Sequence, residues 1–353
     1  MSFCYMPILK WKQGEQTTLR ELSATDQEKM LPLIELMPFK SLTGETLNQG
    51  HQRDAKKTGQ LLIKAGFDDQ PIAVDTLYRI PSYASQTKLL IATSNQISKS
   101  GINKVYPVVH PGMVLSEPAE FIKLQDYEAL ILRIRVGTFL PIQIDSLITS
   151  LREALASPVP RIHVLLDMFD MVGASPTASA AAITPLITAA LANDETSSVT
   201  VAGGGFPMSL AGIPQGNHSI PRTEYETYLL LRNIDFPDLK FGDYAVTNPI
   251  PMEGLDPTKM NPSCQIRYTR LMNWLLIKGQ GSKTHGMGQY NQLSQLLVAH
   301  KDYSGKTYSF GDERYDYHAQ NGSTSGSYMT WRRDATSHHV VFTVRQLRAL
   351  LGI

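Results

Sequence analysis

Short apolar runs recur along the chain, each stopping on a charged residue or a glycine where a strand would end: MPILK (6–10), LPLIEL (31–36), PIAVDTL (71–77), VYPVVH (105–110), ALILRIRV (129–136), RIHVLLDM (161–168), VTVAGGG (199–205) and LKFGDYAV (239–246). Segments of roughly helical period lie between many of them, at 14–30, 82–98, 143–157, 177–193 and 222–234. Strand, helix, strand is the grammar of parallel sheets with right-handed crossovers. Eight runs, with no GxGxxG turn after an early strand, predict the closed form: an α/β chain folded as a (β/α)8 TIM-like barrel. Two prolines between the fourth and fifth runs leave room for only a short helix.

The pattern changes near Thr247. A proline-rich loop (248–263) is followed by 265–279, read as a strand pair or one long strand, and an amphipathic helix within 286–304. At the end of the chain, HHVVFTV reads as a strand and RQLRALL as a closing helix, with the glycine-flanked turn at 322–326 as a mobile loop. The predicted division is therefore a barrel over 1–247 and a C-terminal α+β extension, packed on it, over 248–353.

At 353 residues, 42% hydrophobic and 18% charged, the chain affords one large core. A formal charge of +1 gives no global attraction to nucleic acid or to an anionic membrane, so phosphate recognition must be local. The two cysteines, Cys4 and Cys264, form neither a disulfide framework nor a metal-ligand spacing. The N-terminal apolar stretch is too short for a signal peptide, and the alanine-rich stretch 178–192, broken by Pro185, is too polar to span a bilayer. A cytoplasmic protein with neither membrane nor nucleic acid as partner is expected.

Strand alternation directs the charges. In ALILRIRV, Leu130, Leu132 and Ile134 share the face that should meet the helices, so Arg133 and Arg135 turn toward the lumen. Buried guanidinium groups need anions. Glu35, Asp75, Asp167 and Asp243 lie near the ends of four other runs, and an acidic ring around two arginines follows. That ring either neutralises itself as a polar plug or supplies a general base or ligands for a divalent metal such as magnesium. His110, after VYPVV, is a candidate general acid or base, or else a turn residue before Pro-Gly. His163, inside its strand, reads as a core histidine.

Gly203, Gly204 and Gly205 follow the seventh strand, where barrel phosphate sites are commonly built, and can aim successive N–H groups at an anion or simply form a tight turn. Lys10, Arg133, Arg135 and Arg267 complete a phosphate-binding set. Trp331 or Tyr244 offers a stacking surface, while Arg332, His338 and His339 add charge and proton transfer. Adjacent histidines on a strand would point to opposite faces, one of them solvated. No P-loop, HExxH, GxSxG or CxxC signature is present.

Taken together, PILKWKQGE (7–15), PLIEL (32–36), VAGGGFP (201–207), LKFGDYAV (239–246), IRYT (266–269) and TWRRDATSHHVVFTVRQL (330–347) resemble the Beta protein family of bacteria and phages. The resemblance covers almost the whole chain and implies an association with mobile elements and defence loci; it carries no catalytic mechanism with it. Two functions compete. One is a hydrolase or lyase acting on a phosphorylated, nucleotide-like ligand in phage–host conflict. The other is a catalytically empty adaptor, working through a protein partner encoded nearby. A third, direct nucleic-acid binding through Arg332, Arg333, Arg345 and Arg348, is disfavoured by the neutral charge.

Overall fold

The computed structural model describes residues 3–80, 85–155, 160–251 and 260–353. Eight parallel strands close a barrel: β1 (Tyr5–Lys10), β2 (Leu33–Glu35), β3 (Ile72–Asp75), β4 (Val105–Val109), β5 (Ala129–Arg135), β6 (Arg161–Asp170), β7 (Thr196–Gly204) and, after the intervening β8 (Gly216–Pro221), β9 (Lys240–Asp243). Closure comes from β9, which pairs with β7 on one side and β1 on the other. The eight apolar runs are these eight strands.

Strand parity sorts the core into two layers. Leu130, Leu132 and Ile134 pack outward, with the helices, in the larger apolar cluster. Ile131 turns inward and packs with Met6, Ile8, Leu33, Val108 and Leu165, which fill the lumen. His163 lies low in the barrel, buried, its Nδ1 2.6 Å from Ser198 Oγ and its ring stacked near Tyr106, as a core histidine should be.

Helices cover the barrel at Gln13–Arg20, Leu47–Lys64, Gln86–Ser98, Pro141–Ala154, Pro176–Ala192 and Thr223–Ile234. The helix Leu47–Lys64 falls where no helical segment was read. Its start is set by a reciprocal cap between Thr46 and Gln49. The helix Pro176–Ala192 runs through Pro185 instead of breaking there. Between the fourth and fifth strands lie the expected short helix, Pro111–Ser116, and a 3-10 turn, Pro118–Leu124.

The extension is a three-stranded antiparallel sheet, β10 (Ser263–Thr269), β11 (Asn273–Gly281) and β8, with β11 in the centre. β8 belongs to the span 1–247 assigned to the barrel, yet pairs with β11, so the loop after β7 is shared between the two parts. The proline-rich loop 248–263, like the ends of the segments 82–98 and 143–157, lies partly outside the described residues.

One expectation is overturned at the C-terminus. HHVVFTV is not a strand: a single helix, Tyr328–Leu351, runs from a reciprocal Ser327–Thr330 cap to a left-handed Gly352. Its Val340, Val341, Val344 and Leu347 join the core between barrel and helices. Tertiary burial outweighs the β-preference of the branched residues. The helix Phe310–Ala319 crosses it so closely that a Cβ on Gly311 would lie 2.1 Å from the Asp334 carbonyl oxygen. Of the described residues, no helix is long and apolar enough to cross a membrane.

Candidate functional site

Arg133 ends in the middle of the barrel mouth, 4% exposed, as parity requires. Its Nη1 donates to Asp75 Oδ2 at 2.7 Å and lies 2.9 Å from Glu35 Oε1; its Nε and Nη2 donate to Asp167 Oδ2 at 3.1 and 2.8 Å. Tyr244 extends the chain, its hydroxyl donating to Asp167 Oδ2 at 2.6 Å and accepting from Arg133 Nη2 at 2.6 Å. Burial opposes the charge on Arg133, but Tyr244 and the three carboxylates outweigh it and raise its pKa. Burial pushes the Glu35 carboxyl up against the pull of Arg133. Asp75 goes the other way: burial works to raise it, yet His110 and Arg133 hold it well below the usual carboxylate range.

His110 caps this network from above, with Nε2 3.0 Å from Asp75 Oδ1. Three strand-end aspartates also lock their own turns. Asp75 Oδ1 accepts the Leu77 N–H at 2.9 Å, Asp167 Oδ1 that of Phe169 at 2.9 Å, and Asp243 Oδ1 that of Ala245 at 3.0 Å.

Two expected members of the ring lie elsewhere. Arg135 has the right parity but sits at the exposed end of β5, above the lumen, its guanidinium 3.5 Å from the Phe169 ring centroid. Asp243 turns outward, away from Arg133. Its carboxylate accepts from Tyr5 Oη at 2.7 Å and lies 2.8 Å from His339 Nε2, while Thr269 Oγ1 is 2.8 Å from His339 Nδ1. His339 thus ties barrel strand β9 to extension strand β10. His338, one residue earlier on the same helix, sits 2.8 Å from Asp312 and stacks on Tyr268 at 3.8 Å. Both histidines are buried and neither is solvated.

The glycine run is packed against the protein's own side chains. A Cβ would meet Met171 at Gly203, Pro249 at Gly204 and Glu224 Oε2, 2.4 Å away, at Gly205. Glu224 is 1% exposed, and its Oε1 lies 3.7 Å from Arg222 Nε. Burial lifts its pKa to about 8, opposed by Arg222 and reinforced by Asp243. Nothing in the sequence near TEYETY marks this glutamate as buried.

Other members of the predicted set meet beside the barrel. A cavity of about 730 Å3 opens between the loop after β7, strands β10 and β11, and the start of the C-terminal helix. Arg267, Lys278 and Arg332 line it with Tyr290, Tyr328 and Trp331, and no aspartate or glutamate is among its described lining residues. Arg267 donates to the Val246 carbonyl at 2.5 Å and lies over Phe206, but has no carboxylate partner among the described residues. Burial and nearby Arg332 pull its pKa down to about 10. Lys278 is buried and holds the Leu210 carbonyl at 2.8 Å and also that of Ile213. Trp331 is stacked on Tyr290 at 4.1 Å, which occupies the face a base would need.

Lys10 joins the barrel to this cationic group. Its Nζ donates to the Asn248 carbonyl at 2.9 Å, and burial lowers its pKa, with Glu35 pulling up and Arg332 among the groups pulling down. By contrast Arg345 pairs with Asp26 and Arg333 with Asp334, which leaves them poor phosphate contacts. Among the described residues, no group of three or more His, Cys, Asp or Glu side chains is placed to hold a metal ion; the lumenal carboxylates face Arg133 instead.

A protein-family model described as Beta protein matches residues 5–345. The chain belongs to the Beta protein family. No curated protein sequence matches this Beta-family chain. Among solved structures it is similar to a putative lyase/mutase from Burkholderia cenocepacia J2315, at 10% identity over 70% of this chain and 77% of that one, with a TM-score of 0.35. It is also similar to the arginine decarboxylase of Paramecium bursaria Chlorella virus bound to agmatine (11% identity, 78% and 83% coverage, TM-score 0.35). A third is the carboxyl transferase domain of Rhizobium etli pyruvate carboxylase with pyruvate (12% identity, 57% and 40% coverage, TM-score 0.34). The Beta-family chain spans 23% to 40% of the length of the pyruvate carboxylase chains it matches. These likenesses carry no functional argument; the barrel is established by its own strand pairing.

Proposed function

We propose that this Beta-family protein binds a phosphorylated, nucleotide-like small molecule in the cavity beside the barrel, in the cytoplasm and in the setting of phage–host conflict. The setting follows from the family resemblance and the ligand class from the site. One observation supports the ligand: Arg267, Lys278 and Arg332 line a single cavity that has no carboxylate among its described lining residues. A half-buried guanidinium with a second arginine nearby and no carboxylate partner among the described residues pays desolvation and repulsion together, which an incoming polyanion would relieve. The volume suits a ligand of nucleotide size, and the carboxamide side chains around it suit the polar edges of a base or sugar.

Titration calorimetry with nucleoside mono-, di- and triphosphates and cyclic nucleotides, with and without magnesium, tests the proposal; product analysis in the same samples reports hydrolysis. No binding of any phosphorylated ligand by the wild-type protein overturns it. The burial of Glu35, Asp75, Arg133 and Asp167 favours a second reading, an adaptor whose lumen is purely structural. Asp75→Asn separates the two: unfolding supports the adaptor, whereas a folded protein with altered ligand turnover supports an enzyme.

A further inference from the structure

We propose that the barrel mouth is a proton-transfer site for a small oxyanion, a phosphate or a carboxylate, with His110 as its base and Arg135 as its anion holder. The site is distinct from the cavity, and the proposal stands whether or not a nucleotide binds there.

The argument begins with the tautomer. Asp75 is buried, and its carboxylate already accepts from Arg133 and from the Leu77 N–H. Its contact with His110 Nε2 at 3.0 Å is therefore made to a donor, so Nε2 carries a proton and it is Nδ1 that offers the lone pair of the neutral ring. That Nδ1 has no hydrogen-bond partner among the described residues, and the His110 side chain is 15% exposed while Asp75 is sealed. An imidazole oriented through one nitrogen by a buried aspartate, on a side chain that solvent still reaches, is the arrangement of a general base.

The anion holder follows from strand register. Val109 is level with Leu132 on the neighbouring strand, which puts His110 beside Arg133, and Arg135 lies two residues further along the same face of β5. Arg135 is exposed and has no acidic partner among the described residues; its guanidinium lies over the ring of Phe169. Phe169 holds a φ of 60°, a conformation that costs a bulky residue free energy, and Asp167 enforces it by accepting its N–H. This strained turn at the C-terminal end of a barrel strand props one cation over the mouth, where barrel chemistry is done.

In the proposed step an oxyanion rests on Arg135 and His110 Nδ1 takes a proton from an O–H or C–H bond of the same molecule. The electron pair of that bond stays on the substrate, and the imidazolium that forms is held by Asp75, itself kept ionised by Arg133.

Acylation of His110 by diethyl pyrocarbonate, mapped by peptide mass, tests the assignment without a known substrate. The wild type should react at His110, and inorganic phosphate at about ten times its Kd should slow the reaction on the order of ten-fold; an acetate arm distinguishes carboxylate from phosphate. Arg135→Gln should still react at His110 and lose the protection by anions. An unreactive His110, or reactivity unchanged by both anions, overturns the proposal. Asp75→Asn should slow acylation; if that variant does not fold, the imidazole nitrogen spectrum of the wild type decides, since an Nδ1–H tautomer at His110 contradicts the assignment.

Discussion

Replacing Arg133 with methionine removes the cation that Glu35, Asp75 and Asp167 share, each of them about 1% exposed. The substitution keeps much of the aliphatic stem and deletes hydrogen bonds to Asp75, Asp167 and Tyr244 together with the contact to Glu35. Breaking a buried ion pair by removing one partner costs roughly 3–5 kcal/mol, and three carboxylates placed round one cation put this site at the upper end of that range. The cost should depend on pH. In the wild type Asp75 is held low, so its contribution is present above the unfolded pKa and is lost only in strong acid, outside the neutral range. In the variant the carboxyls are released upward, the native state takes up a proton the unfolded state does not hold, and stability rises as pH falls. One extra proton tilts the difference by about 1.4 kcal/mol per pH unit. Urea unfolding of wild type and Arg133→Met at several pH values between about 5 and 8 measures it, with the larger loss at the alkaline end. A difference below about 1 kcal/mol at pH 8, or one independent of pH, would refute the reasoning.

Three further outcomes follow from the same geometry. Glu224→Gln should stabilise the protein: with a folded pKa of about 8, the native state holds a proton the unfolded chain releases near 4.5, so wild-type stability declines between those values and the amide removes the decline, by roughly 3 kcal/mol at neutral pH in thermal or urea unfolding. His339→Ala should cost on the order of 2 kcal/mol, because it leaves the buried Asp243 carboxylate without its ring partner and unties β9 from Thr269; differential scanning calorimetry that shows no loss would count against that link. Gly205→Ala should shift unfolding downward, since the new methyl meets Glu224 Oε2 at 2.4 Å and the glutamate is packed on all sides.

Much of this was legible in the chain because it depends on local pattern. The eight apolar runs are strands with period two, and parity alone was enough to send Arg133, Glu35, Asp75 and Asp167 inward. Parity says nothing of height, however, so Arg135 was placed in a lumen that β5 has already left. Asp243 was assigned by position in its run, without parity, and the register of β9 against β1 and β7 turns it toward the C-terminal helix. The helix Leu47–Lys64 has few apolar residues and gave no periodic signal, whereas HHVVFTV gave a misleading one, being rich in β-branched residues that the core accepts on a helix. The cavity brings together residues near 210, 265, 280 and 330, distant in the chain, so no local pattern could show that its cations meet, and the burial of Glu224 left no signal either.

The most direct measurement of the central claim is calorimetric titration of wild type and Arg267→Met with the same panel of phosphorylated nucleotides, alongside the unfolding curve of each protein. Arg267 has no carboxylate partner among the described residues, so its loss should leave the free protein at least as stable as before and weaken the best ligand by ten-fold or more, about 1.4 kcal/mol of binding. Equal affinity in the two proteins, or a variant that unfolds more readily while ligand binding is absent from both, would contradict the account.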